Sequence, residues 1–263
     1  MQSICQDLLD EYQSLADLCE TLSLAQWQTP TLFHHWTPWD EIAHLCYFDE
    51  TGLQSATDAQ GFNAAAVPLA KRLYAGEAIS AIARERYAHL NGPALLAHWR
   101  GLHQALVKAL STLDVKDRLP WYGPPMSARS FASARLMETW AHGQDIWDMV
   151  KRQRPASARL KHIAHLGVTT FKWTFANRQL PVPETPPHVA LLAPDGEHWS
   201  WNPASDTHWV QGSAQDFCLL VTQRRHLHDT ALRHQGEGVQ EWLLMAQCFA
   251  GPPADGPMAG VRV

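Results

Sequence analysis

The sequence predicts an α-helical bundle followed by a small α+β module. In the first two-thirds of the chain, apolar residues recur every three to four positions over several long segments. The proline-rich stretch Pro181-Val-Pro-Glu-Thr-Pro-Pro187 then interrupts that pattern, and beyond it the apolar period shortens to the two of a β-strand.

The first helix is read from Ile4, Leu8, Leu9, Tyr12, Leu15, Leu18, Cys19 and Leu22, one stripe running from Ile4 to about Leu24. Trp27 to Trp36 forms an aromatic connector. Thr37-Pro38 opens a second helix to about Leu53, since proline at the first helical position gives up only a donor that has no partner there. Gly52, Gly61, Asn63 and Pro68 mark a looser passage with partial helix. Helical spacing resumes over 78–89, restarts after Asn91-Gly92-Pro93 to about Leu113, and returns over 127–150 and 156–175. Long stripes of this kind, joined antiparallel, bury one another as a bundle.

After the prolines, His188–Ala193 and His198–Asn202 flank Pro194-Asp-Gly196, which has the turn chemistry of a β-hairpin. Trp209–Gly212 adds a strand. Ser213-Ala-Gln-Asp216 then opens a helix whose two polar side chains are expected to cap each other reciprocally. A last helix is expected over 237–249, ended by Gly251-Pro-Pro253. The domain boundary is placed at the linker, with residues 1–178 forming the bundle and 179–263 the α+β domain.

The 263 residues carry 21 Lys and Arg against 26 Asp and Glu, a formal charge of −5. Residues 1–150 hold 17 acidic and 10 basic side chains, and 151–263 hold 9 and 11, so no strongly basic face is available for nucleic acid. No segment approaches the roughly 18–20 apolar residues of a membrane span, and the first ten residues lack the pattern of a secretion signal. A soluble, cytoplasmic protein without a membrane partner is expected. Cys5, Cys19, Cys46, Cys218 and Cys248 form an odd, scattered set without C-x-x-C, which suits reduced thiols serving as small core residues.

The chemistry centres on Ala134-Arg-Leu-Met-Glu-Thr-Trp-Ala-His-Gly-Gln-Asp145. Glu138 and His142 lie four apart, so a carboxylate and an imidazole project from one helix face a turn apart. His44, in the second turn of the helix opened by Thr37-Pro38, is a candidate third ligand. Nitrogen and oxygen donors of this kind suit Zn²⁺ and related ions, and three protein ligands leave a position open for water or substrate. Asp145 and Asp49 are candidates to orient an imidazole. Among 15 histidines, the pairs His34 and His35, His162 and His165, and His226 and His228 compete on spacing alone. Trp36, Trp39, Trp99, Trp121, Trp140 and Trp147 are candidates for an apolar wall above a metal or for core.

Trp27-Gln-Thr-Pro-Thr, Trp36-Thr-Pro-Trp-Asp-Glu-Ile-Ala-His-Leu45 and Ser127 to Asp145 together resemble the amino-terminal domain of the mycothiol-dependent maleylpyruvate isomerase family, within the DinB-like superfamily. The resemblance implies an up-down four-helix core binding a divalent metal through His44, Glu138 and His142. Zinc is the first expectation and nickel the second. Trp209 to Arg225 is similar to that family's carboxy-terminal domain, a sterol-carrier-like α+β form also described as wyosine-base-formation-like. There the resemblance implies that Arg224 holds a substrate carboxylate, with Arg225 as the alternative register.

Where the family's second helix usually begins Trp-Thr-Val-Arg-Asp, this chain has Trp36-Thr-Pro-Trp-Asp40, an indole in place of a cation near the expected site. The implied function is a metal-dependent isomerisation of a small carboxylate. A low-molecular-weight thiol adds to a conjugated enone, allows rotation and leaves. A thiol transferase acting on another electrophile, or a metal- or ligand-binding module without turnover, are the alternatives.

Overall fold

The computed structural model describes residues 1–262, and the chain divides into two compact units, Met1–Gln153 and Arg154–Val263. The first unit is helical. Its helices are α1 (Gln2–Glu20), α2 (Pro38–Thr57), α3 (Ala59–Tyr74), α4 (Ile79–Tyr87), α5 (Gly92–Ser111) and α6 (Ala128–Met149). A two-residue ladder pairs β1 (Arg118–Leu119) with β2 (Met126–Ser127) before α6 begins. Helices α1 and α2 each pack against both α5 and α6, which makes a four-helix core with α1 and α2 on one diagonal.

The starts of these helices follow from their capping residues. Thr37 Oγ1 accepts from Asp40 N while the Asp40 carboxylate accepts from Thr37 N, a full capping box worth about 1 kcal/mol, with Pro38 in the first turn. Asn91 and Ser127 cap α5 and α6 through Ala94 N and Ser130 N. The passage expected to be loose is α3, capped by Asp58 and continuing through Pro68. Only Phe62 and Leu69 of α3 are buried, seven residues apart, so its apolar stripe is too thin to read as helix beside Gly61 and Pro68.

One buried carboxylate joins all four core helices. Asp49 of α2 has no solvent exposure and accepts from Tyr12 Oη of α1 at 2.6 Å, Trp99 Nε1 of α5 at 2.7 Å and Arg135 Nε of α6 at 2.8 Å. Asp49 is therefore a structural knot rather than a partner of an imidazole, and Trp99 is core. His103 of α5, also unexposed, stacks on Tyr12 with ring centroids 4.5 Å apart. Neither ring nitrogen of His103 has a hydrogen-bond partner, and burial lowers its pKa to about 4.

The second unit contains α7 (Leu160–Thr169), α8 (Phe171–Asn177), β3 (His188–Leu192), β4 (His198–Trp201), β5 (Trp209–Ser213), α9 (Ala214–Val221), β6 (Arg233–Gln235) and α10 (Val239–Met245). Its sheet has the order β4-β3-β5-β6, with β3 and β5 parallel and the other pairs antiparallel. The expected hairpin is present, and Gly196 supplies the positive φ, +87°, that its turn needs.

The fifth helix of the sequence reading is two helices, α7 and α8, and both lie in this unit, before the prolines where the domain boundary was placed. Gly167 of α7 explains the attachment: a Cβ there would lie 2.9 Å from the Val221 side chain, so its absence lets α7 close onto α9. The Ser213 hydroxyl caps α9 through Asp216 N, but the reciprocal bond is not made. The Asp216 carboxylate instead accepts from Ala231 N at 3.2 Å, tying the approach to β6. The last helix is shorter than expected because the chain leaves helical geometry at Ala246 (ψ 133°).

Asp49→Asn leaves the buried Arg135 guanidinium without its charge partner and is expected to cost about 3–5 kcal/mol in a urea denaturation. The ordinary histidine pKa of about 6.5 is lowered in the fold at His103, so its contribution is complete above pH ~6.5 and is lost as pH falls toward 4. His103→Phe, which keeps the stack on Tyr12, should therefore lose about 2 kcal/mol less than the wild type between pH 7 and pH 5. Equal losses would count against a neutral buried His103.

Candidate metal centre

His44 arises from α2, and Glu138 and His142 from α6, one turn apart on one face. Both imidazoles present Nε2 to the same carboxylate oxygen: Glu138 Oε2 lies 3.3 Å from His142 Nε2 and 3.9 Å from His44 Nε2. The two rings are 4.4 Å apart, and one ligand atom from each of the three residues falls within 4.8 Å of the others. Burial alone would raise the Glu138 pKa, but the hydrogen bonds and charges of His142 and His44 hold it well below the usual carboxylate range. Its side chain keeps 24% of its accessibility, so the cluster has an opening.

The far side of His142 is closed. Its Nδ1 meets Glu41 Oε2 at 2.7 Å, and Glu41, with no exposure, also accepts from Thr31 Oγ1 at 3.3 Å. Glu41, His142 and Asp145 form a second group within 4.8 Å, all buried. Asp145 therefore lies beside the imidazole as anticipated, while Glu41 was missed. The signal was present in Asp40-Glu41, three residues before His44, but acidic residues in a first helical turn are ordinary companions of the helix dipole.

Aromatic side chains wall the cluster. Trp36 lies parallel to His142 at 5.7 Å with an 11° tilt and sits 5.3 Å from His44, Phe33 meets His142 edge-on at 5.6 Å, and Phe48 meets His44 at 4.8 Å. Trp36 thus belongs to the site. Trp39 does not: it is buried, donates Nε1 to Leu90 O at 2.9 Å and carries Arg84 over its ring. The indole that replaces the family's cation packs where α2 meets the start of α5, which removes it from the expected substrate contacts. Trp121 lies further out, stacked on Phe62 and tilted against Phe48.

In the second unit, Arg224 follows α9 and is buried, with Nη1 donating to Thr222 O at 2.7 Å, while Arg225 is half-buried. The competing histidine pairs gather no third ligand: among the described residues the groups able to hold an ion are the two above.

A family profile, the mycothiol maleylpyruvate isomerase N-terminal domain, matches residues 8–147 and so spans α1 to α6 with all three cluster residues. The chain belongs to this family. Two uncharacterized proteins of Mycobacterium tuberculosis, from strains CDC 1551 / Oshkosh and H37Rv, are each 42% identical over 255 residues, covering 95% of this chain and 96% of theirs. Crystal structures of the mycothiol-dependent maleylpyruvate isomerase and of a histidine-to-alanine mutant of it superpose with a TM-score of 0.55 at 14% identity, over 83% of this chain and 87% of theirs. The member of the family described here shares their fold, with a helical first unit and a small sheet in its second. No helix among its described residues is long and apolar enough to cross a membrane.

A metal takes imidazole through a neutral nitrogen, so ion uptake by this cluster should weaken as pH falls and protons compete for the ligating nitrogens. Competition titration with a chromophoric chelator at pH 7.5, 6.5 and 5.5 measures this, and pH-independent affinity would count against histidine ligands.

Proposed function

We propose that this family member is a divalent-metal-dependent enzyme of the thiol-dependent maleylpyruvate isomerase type, with His44, Glu138 and His142 holding zinc, or nickel in its place. The observation that carries the reading is the convergence of two Nε2 atoms from different helices on one carboxylate oxygen. That donor set fits the ion: two imidazoles and a carboxylate, in a partly open cluster, leave a coordination position for an exogenous ligand. Bound there, zinc supplies the charge that keeps a thiol ionised as thiolate near neutral pH.

The protein's own residues do the rest. Trp36, Phe33 and Phe48 limit water around the imidazoles and give a flat, apolar wall suited to the planar system of a conjugated enone. Burial pushes the Cys46 thiol up to about 12 and raises Cys19 and Cys218 as well, so these three are protonated at neutral pH. In this reading the nucleophilic thiol is supplied as a cosubstrate, mycothiol or another small thiol, as in the family's isomerase. Within this reading the family resemblance assigns the substrate carboxylate to Arg224, a role suited to a planar fork of donors.

Metal analysis of the purified protein, followed by the loss of maleylpyruvate absorbance with mycothiol, glutathione and cysteine in turn, tests the proposal. His142→Ala is expected to lose both metal and turnover, and Arg224→Gln to raise KM roughly 10- to 100-fold through the lost charged hydrogen bonds. Full metal occupancy in the triple variant His44→Ala, Glu138→Ala, His142→Ala would overturn the site, and loaded metal without turnover by any thiol would overturn the reaction.

A further inference from the structure

We infer that Glu41 is a positioning residue that fixes which nitrogen of His142 is free to bind a metal. The inference rests on the proposed ligand role of His142 and deepens it. A neutral imidazole carries its proton on one nitrogen only, and a metal binds the other. Left to itself in solution, the ring distributes its proton between Nδ1 and Nε2. In the folded chain Nδ1 faces Glu41 Oε2 at 2.7 Å, and an ionised carboxylate can only accept. Nδ1 is therefore kept as a donor to Glu41, so that an ion on the Glu138 side can bind His142 only by displacing the proton from Nε2, which lies 3.3 Å from Glu138 Oε2.

Glu41 is itself held in place. It lies in the first turn of α2, three residues before His44, so the element that supplies one ligand also supplies the group that orients another. Its other oxygen, Oε1, accepts from Thr31 Oγ1 at 3.3 Å. Thr31 closes the aromatic connector through Thr31 N to Trp36 O at 2.7 Å, and Trp36 and Phe33 pack on the same His142 ring. The ring is thus stacked by Trp36, met edge-on by Phe33 and held at its Nδ1 edge by a carboxylate. A carboxylate placed this way behind a histidine ligand raises the basicity of the ligating nitrogen, and its loss costs about 10- to 100-fold in metal affinity.

Two measurements on the full chain test this. Nitrogen-resolved NMR of the apoprotein at pH 8 should show Nδ1 of His142 protonated in the wild type and losing that proton in Glu41→Gln, whose amide can donate to Nδ1. Zinc competition should then show Glu41→Gln binding roughly 10- to 100-fold more weakly, with Thr31→Val intermediate and the apoprotein melting temperatures close to wild type. Zinc affinity within twofold of wild type in a folded Glu41→Gln overturns the inference, as does an unprotonated Nδ1 in a wild type that does bind zinc. A wild type that takes up no zinc overturns the site reading on which the inference stands, whereas the NMR result judges the Glu41 contact independently.

Discussion

The helical unit depends on the Asp49 carboxylate. Buried among helices, an ionised carboxyl is tolerated only when its oxygens are fully engaged, and here the donors come one each from α1, α5 and α6. Hydrophobic stripes would accept several helix registers at similar cost. The carboxylate accepts one, because sliding any neighbouring helix by a residue removes a donor and leaves a buried charge exposed to apolar surroundings. Its strongest partner, Arg135, also reaches Leu45 O of α2, so α2 and α6 are locked to each other twice over.

That lock places the candidate metal centre. His44 precedes Asp49 by five residues on α2, and Glu138 follows Arg135 by three on α6. Fixing the Asp49 and Arg135 pair therefore fixes the approach of His44 to Glu138 and His142 about a turn away. The apolar core sets how strongly the helices associate, while a few buried polar contacts set where. Glu41 extends the same logic outward, since its hydrogen bonds join the start of α2, the aromatic connector and α6. The ligands then need little rearrangement to receive an ion, which is what a site built on rigid helices provides.

Family membership and chemistry are separate matters. At 14% identity the likeness to the solved isomerase is one of fold, and folds host many reactions. The relatives at 42% identity match over 95% of the chain, and so across both the bundle and the sheet unit. Trp39, which looks like a substitution in the site when the second helix is compared with the family's pattern, lies instead in the packing of α2 against the start of α5. The aromatic wall of the site is made instead by Phe33, Trp36 and Phe48.

Much was legible in sequence. The periodicity of α1, α2, α5 and α6, the Thr37-Pro38 start and the Gly196 turn all follow from local rules that act within a few residues. His44, Glu138 and His142 were legible as a set only with the resemblance, because a Glu and a His four apart occur on many helices. Other features required the fold itself. Helix α3 was hidden by Gly61 and Pro68, and Ser213 and Asp216 parted because Ala231, distant in sequence, claims the Asp216 carboxylate. The helices over 160–177 pack with the sheet unit because Gly167 lets α9 approach. Glu41 became the partner of His142, and Asp49 did not, because which carboxylate meets which ring depends on how α2 rotates against α6. The sequence by itself determined the long core helices α1, α2, α5 and α6 and which donors they carry. Tertiary structure alone decided which donors face one another, since angular register between helices is set by buried polar contacts that no local pattern encodes.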